Sequence, residues 1–235
     1  MKTYNCAQGS DEWHRLRLGI PTASEFHKIM TAKKRQLSSQ AAGYCNVLLA
    51  EWMLGEPLET FESPWMERGK ALEAEAVRAY EFVKDCTALA VGFVTTDDGM
   101  IGASPDRLVG EDGLLEQKCP SAPIHVGHML NMALDDEHIT QVQGQLWVSE
   151  REWCDVQSYY PGLPSVIVRA HRNEEFIKDL SACVRSFVDV LLGAREKLTQ
   201  AYGELRRERV TSAQVLEAKR AAFDEFMDSP IGGVV

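Results

Sequence analysis

Ser104-Pro105-Asp106-Arg107-Leu108-Val109-Gly110-Glu111-Asp112-Gly113-Leu114-Leu115-Glu116-Gln117-Lys118 decides the fold. Two short β-type runs, Arg107–Val109 and Leu114–Cys119, flank a turn built on Gly110 and Gly113. Upstream, Leu89–Thr95 and Met100–Ser104 are further β-type runs separated by Asp97-Asp98-Gly99, so a meander of about three strands is expected. Downstream, the pattern predicts a helix over roughly 136–149, strands at 153–160 and 165–170, a long amphipathic helix from Asn173 to about Arg209, and a last helix over 212–228. Before the meander, Thr22 or Ser24 caps a short helix running to about Met30, and Lys33–Ser39 reads as a polar, basic loop. Residues 40–54 form a helix closed by Gly55 and Pro57, and Ser63-Pro64 opens another that runs to about Lys84. Helices, then a central mixed sheet of about five strands, then helices, describe one α/β domain over 1–235 with a helical tail from about residue 173.

Side chains on a strand alternate faces, so Glu116 and Lys118 share one side while Gln117 points to the other. Asp106, at the start of the neighbouring strand, can bring its carboxylate beside that of Glu116. Two adjacent carboxylates repel, and a hard divalent cation relieves the repulsion; Mg²⁺ takes one or two carboxylates and fills its other positions with water and phosphate oxygens. The backbone carbonyl of Gln117 is a further oxygen donor. Beside a metal the Lys118 pKa is expected to fall, letting the amine orient or deprotonate a water, or balance phosphate charge in the transition state. Together these groups suit phosphodiester hydrolysis by in-line attack. On spacing alone, a turn aspartate and a surface Glu–Lys pair on an edge strand is the favoured reading, because Asp…ExK is short and common.

With 25 basic and 35 acidic residues the formal charge is −10, which taken as a sum opposes binding to nucleic acid. The sum conceals a segregation: residues 1–50 hold seven basic and three acidic residues, whereas 51–116 hold five and fifteen. No run approaches the roughly 18 apolar residues that span a bilayer, so no membrane partner is expected. Met1–Cys6 has no apolar core resembling a secretory signal, and Cys6, Cys45, Cys86, Cys119, Cys154 and Cys183 form no CxxC pair. Reduced cytosolic thiols, with no zinc or iron–sulfur site, are expected. The six histidines make no metal-spaced set.

Pro105-Asp106…Glu116-Gln117-Lys118 matches the PD-(D/E)xK nuclease signature. Three more stretches narrow the likeness: Trp13–Glu25, then Arg68-Gly69-Lys70-Ala71-Leu72-Glu73, then Gln141-Val142-Gln143 with Trp147. In this order they resemble the phage lambda exonuclease family of YqaJ-like viral recombinases, from about Asp11 to Tyr160. The resemblance implies a restriction-endonuclease-like core and a Mg²⁺-dependent exonuclease that digests the 5′-ended strand of duplex DNA to mononucleotides. A 3′ single-stranded overhang for phage recombination by strand annealing would remain. It also implies two Mg²⁺ ions with Mn²⁺ as a substitute, a ring-shaped homotrimer, a phage single-strand annealing protein as partner, and the host bacterial cytoplasm as location.

By motif match Asp106 and Glu116 would hold metal and Lys118 would be the catalytic lysine, with Glu73 approaching from the long helix in competition with Glu75. Gln141 and Gln143 would lie near the metal or the attacking water, or else be helix-surface amides. Arg17 matches the family's phosphate-binding arginine, its forked donors suiting a terminal 5′-phosphate, with Ser24 and Ser104 as hydroxyl donors. Trp13 would flank this pocket or belong to the core. Met66 occupies the place of an apolar wedge between terminal bases, or packs as an ordinary helix residue. Lys33, Lys34 and Arg35 would track backbone phosphate. Arg68 stands where the family can carry a tryptophan, a departure that bears on local packing. The rival readings are another PD-(D/E)xK enzyme, such as an endonuclease, and a catalytically silent DNA-end-binding scaffold.

Overall fold

Side-chain caps and backbone turns set the element boundaries. Ser10 accepts the Trp13 amide to open α1 (Asp11–Arg17), and a 3₁₀ helix follows at Ala23–Lys28. The left-handed Gly55 (φ 70°) closes α2 (Ala41–Leu54) as expected, and α3 spans Pro64–Lys84. The computed structural model describes residues 1–58, 64–132 and 136–203. The helix expected at 212–228 lies outside the described residues.

The strands are β1 (Lys2–Tyr4), β2 (Met30–Thr31), β3 (Gln36–Leu37), β4 (Ala88–Ala90), β5 (Phe93–Thr95), β6 (Gly102–Ala103), β7 (Arg107–Val109), β8 (Gly113–Lys118), β9 (Trp153–Ser158) and β10 (Val166–His171). Between β8 and β9 lie α4 (Ala122–Asn131) and α5 (Asp136–Val148), and α6 (Glu174–Tyr202) follows β10. The central sheet has the order β10-β9-β8-β7-β4, with only β8 and β9 parallel, so it is the mixed five-stranded sheet expected. No helix among the described residues is long and apolar enough to cross a membrane.

Three expectations need correction. The run Leu89–Thr95 is not one strand: it divides at Val91-Gly92 into β4 of the central sheet and β5 of a separate sheet, β1-β5-β6. A side chain at Gly92 would collide with the Cys6 carbonyl oxygen, so the chain crosses between sheets where only glycine fits. The basic stretch 33–39 is no open loop, because β2 and β3 pair as a short hairpin with Lys33, Lys34 and Arg35 at its turn. A helix absent from the sequence-based expectation, α4, fills the crossover after β8.

Strand alternation sorts the core into layers. Leu114, Cys154 and Val156 face Val142 and Leu146 of α5, while Leu115 and Val109 face Tyr80 of α3 on the opposite side. Leu114 and Leu115 are fully buried, each contributing roughly 2 kcal/mol. The other side of α5 packs on a larger cluster from the 3₁₀ helix, α2 and α6, including Phe26, Tyr44, Leu48, Leu180 and Leu191. Helix α6 is held at its start by the Asn173 side chain, which accepts the Phe176 amide at 3.0 Å. Asn173→Ala should therefore destabilise the fold by about 1 kcal/mol. Urea unfolding would detect this as a lowered midpoint at unchanged slope.

Candidate active site

Antiparallel pairing of β7 with β8 sets Arg107 against Leu115, so the preceding Asp106 comes level with Glu116. Asp106 Oδ2 accepts the Gln117 amide at 2.6 Å. Glu116 is only 4% exposed, and protein donors surround its carboxylate. Lys118 Nζ and Gln141 Nε2 reach Oε1 at 2.8 and 2.7 Å, and Gln145 Nε2 reaches Oε2 at 2.7 Å. Lys118 also donates to Gln141 Oε1 at 3.3 Å. Gln117 turns to the opposite face, donating to Gln157 Oε1 at 2.9 Å.

Burial pushes the Asp106 pKa well above the usual carboxylate range, the charge of Glu116 adds to the rise, and Glu73 contributes further. The Gln117 amide and Lys118 oppose it without prevailing. For Lys118, burial pulls the pKa down, but the Glu116 charge and hydrogen bond win and the net shift is upward. The site's own side chains, with no cation among them, thus favour the ammonium form of Lys118. Between the two candidate helix glutamates, Glu75 is engaged by the Tyr159 hydroxyl at 2.5 Å, whereas the exposed Glu73 acts through space on Asp106.

A second cluster forms around Arg17. Its Nη1 donates to Ser104 Oγ at 3.2 Å and its Nη2 to Thr22 Oγ1 at 3.2 Å, with Ser24 Oγ 3.3 Å from Thr22 Oγ1. Trp13 Nε1 donates to Ser104 Oγ at 2.9 Å, and the Arg17 guanidinium lies 4.2 Å from the Trp13 ring centroid. Trp13, Arg17, Ser24 and Ser104 therefore converge, and Thr22, expected from sequence only as a cap, joins them. Burial lowers the Arg17 pKa; among the described residues its hydrogen bonds go to hydroxyls and no salt bridge to a carboxylate is formed. A half-buried guanidinium without a paired carboxylate suits an incoming anion.

Other expected residues lie elsewhere. Gln143 is not at the site: its Nε2 donates to the His171 carbonyl at 2.8 Å and its Oε1 accepts the Asn173 amide at 2.9 Å, locking α5 to the β10–α6 junction. Gln145, not singled out from sequence, is the residue that joins Gln141 at the Glu116 carboxylate. Arg35 does not project freely, because it is paired with Glu175 and Asp179 of α6 at 2.9 and 3.3 Å. Lys33 and Lys34 are exposed at the hairpin turn. Met66 is on α3, but its side chain lies outside the described residues. Arg68 donates to the Cys119 and Pro120 carbonyls at 3.3 and 3.2 Å and stacks 4.8 Å from the Tyr160 ring, bracing α3 against the end of β8.

Among the described residues no three His, Cys, Asp or Glu side chains form a ready metal cage. The donors that do converge are two carboxylates, all oxygen and under mutual repulsion, which fits a hard cation that keeps waters in its shell. Asp106 Oδ1 and the second lone pair of Glu116 Oε2 are the acceptor positions left for it by the bonds above.

Asp106, Glu116 and Lys118 come together on one face of the mixed sheet in the order and spacing of the PD-(D/E)xK signature. The YqaJ-like viral recombinase domain matches residues 12–152, and the chain belongs to that family, the lambda exonuclease family. The crystal structure of an alkaline exonuclease (LHK-Exo) from Laribacter hongkongensis is similar at 30% identity and a TM-score of 0.75, covering 83% of this chain and 100% of that one. A second structure of that enzyme, in complex with dAMP, aligns equally well. A phage related exonuclease from Haemophilus somnus 129PT, at 16% identity and a TM-score of 0.55, covers 74% of this chain and 96% of its own and shares the fold. A search of curated protein sequences finds no match.

The raised Asp106 pKa carries a stability consequence with a definite sign. Between the ordinary carboxylate pKa and the raised folded value the native state holds the extra proton, so stability falls as pH rises through that window. Asp106→Asn removes this liability while keeping an acceptor for the Gln117 amide. In EDTA the variant should melt higher than the parent at pH 8, and the difference should vanish towards pH 4. Thermal unfolding at the two pH values checks both halves.

Proposed function

We propose that the chain is a Mg²⁺-dependent 5′-to-3′ exonuclease acting on double-stranded DNA ends. The observation that carries this reading is the adjacency of the two clusters: Ser104 belongs to the Arg17 pocket and Asp106 to the carboxylate pair. Two residues of extended chain span about 7 Å, the scale of a single nucleotide step. A terminal 5′-phosphate on Arg17, Ser24 and Ser104 would place the next phosphodiester at Asp106, Glu116 and Lys118, so cleavage would release one nucleotide. The similarity to an enzyme solved with dAMP, a mononucleotide, supports the same product.

Asp106, Glu116 and the Gln117 carbonyl would hold Mg²⁺, with Glu73 beside them. That cation would supply polarisation of the phosphodiester and a lowered pKa for the attacking water. Gln141 and Gln145 fix both oxygens of Glu116, so that the carboxylate meets its ligand in one orientation. Lys118, kept as an ammonium by Glu116, balances the charge that develops on the phosphoryl oxygens. Attack at phosphorus breaks the bond to the 3′-oxygen of the terminal nucleotide, and the shortened strand again ends in a 5′-phosphate that Arg17 can take. Trp13 would wall the phosphate pocket, Met66 would part the terminal base pair, and Lys33 and Lys34 would follow the DNA backbone. A ring-shaped homotrimer in the host cytoplasm, passing its 3′ tail to a phage single-strand annealing protein, completes the proposal, with Mn²⁺ as a substitute metal.

Linear duplexes bearing a 5′-phosphate and a label at either end test metal need and polarity together. Mg²⁺ should release mononucleotides from the 5′ end, EDTA should abolish release, closed circular duplex should resist, and Lys118→Ala should lower the rate at least a hundredfold, roughly the scale of lost charge stabilisation. Cleavage of circles would favour an endonuclease; end binding without any release would favour a scaffold. Wild-type digestion by Lys118→Ala would remove that residue from its role.

A further inference from the structure

The turn between α1 and the 3₁₀ helix joins Arg17 to Thr22 and Ser24, so its shape sets the distance between the guanidinium and the hydroxyls. At its centre Gly19 is left-handed (φ 71°) and buried. Both of its backbone polar groups are taken by side chains from distant elements. Its amide donates to Glu51 Oε2 of α2 at 3.2 Å, and its carbonyl accepts from Arg195 Nη2 of α6, 176 residues away. A Cβ on Gly19 would meet Arg195 Nη2 at 2.9 Å, Trp52 Cβ at 3.0 Å and the Leu48 carbonyl oxygen at 3.2 Å. The Arg195 guanidinium carbon lies 5.3 Å from the Trp52 ring centroid, within cation–π range.

The same turn is fastened at its far end to the strand that leads into Ser104. The Gly102 amide donates to the Pro21 carbonyl at 3.0 Å, and Thr22 bridges Gly102 in parallel. Arg17, Thr22 and Ser24 thus hang on one short segment, clamped by α2 and α6 on one side and on the other by β6, which leads into Ser104. A half-buried arginine that donates to a backbone carbonyl, with its Nε left unpartnered, is costly to keep without a role.

We infer that Arg195 is a positioning residue for the 5′-phosphate pocket: with Glu51 it clamps Gly19 and so sets Arg17 against Ser104 and Thr22. Helix α6 is then part of end recognition although Arg195 acts only through Gly19. This rests on the phosphate reading of the Arg17 pocket proposed above.

The test uses the full chain in EDTA and fluorescent hairpin duplexes with a single open end, carrying either a 5′-phosphate or a 5′-hydroxyl, read by anisotropy. Arg195→Met should weaken binding of the phosphorylated end about tenfold, the size of one lost charge-assisted hydrogen bond, and leave the hydroxyl end unchanged. Arg195→Lys, which can still donate to Gly19, should recover part of the loss. Should Arg195→Met fail to fold, Glu51→Ala releases Gly19 from the other side and should narrow the preference in the same way. If Arg17→Ala loses the preference while Arg195→Met and Glu51→Ala keep it, the positioning role is overturned. If the parent shows no preference, or Arg17→Ala retains it, the phosphate reading itself fails and the clamp has nothing to position.

Discussion

Everything at the face that carries Asp106, Glu116 and Lys118 depends on giving the buried Glu116 carboxylate a donor at each oxygen. A carboxylate this buried is unfavourable unless each oxygen has donors, and Gln141, Gln145 and Lys118 supply them. Those donors exist only because α5 lies across the face of β8 on which Glu116 emerges. The parallel β8–β9 pair creates that arrangement, since its crossover must carry helix over the sheet. Hydrophobic packing of Leu146 and Val142 on Leu114 and Val156 seats the helix, and its glutamines at 141 and 145 then find Glu116.

The close approach of α5 to the 3₁₀ helix has its own steric condition. At Gly144 a Cβ would lie 2.5 Å from the Phe26 ring, so this glycine lets the aromatic ring sit against the helix. Phe26 in turn belongs to the segment whose beginning carries Thr22 and Ser24. One helix therefore orients the carboxylate pair with two glutamines and supports the Arg17 cluster through the glycine between them. On the far face of the sheet, buried Asp155 accepts two bonds from Arg169 and one from Tyr80 of α3, and so fastens the helix that carries Glu73.

The parts of this site that were legible in sequence are those governed by local period. Alternation placed Glu116 and Lys118 on one face and Gln117 on the other. The glutamines show the same rule neglected: residues four apart share a helix face whereas residues two apart do not. Gln141-Val142-Gln143-Gly144-Gln145 therefore already pairs Gln141 with Gln145 and turns Gln143 away, towards His171 and Asn173. The division of Leu89–Thr95 between two sheets was not legible, because the cause is the Cys6 backbone lying against Gly92. Nor was the pairing of Arg35 with Glu175 and Asp179, since attraction between residues 140 and 144 positions apart leaves no local trace.

Net charge misleads for a related reason. At a Debye length of about 8 Å in physiological salt, DNA responds to charges near its path and hardly to the total. Exposed acids such as Asp97 and Glu150 are already engaged by the amino terminus. Arg17, by contrast, is half-buried, flanked by hydroxyls and an indole, and without a salt bridge among the described residues, so its field is little screened. One cation so placed can outweigh a surplus of solvated carboxylates at the range of a hydrogen bond. A charge of −10 is then no obstacle to the proposed grip on a terminal phosphate, and it would oppose lingering on DNA elsewhere.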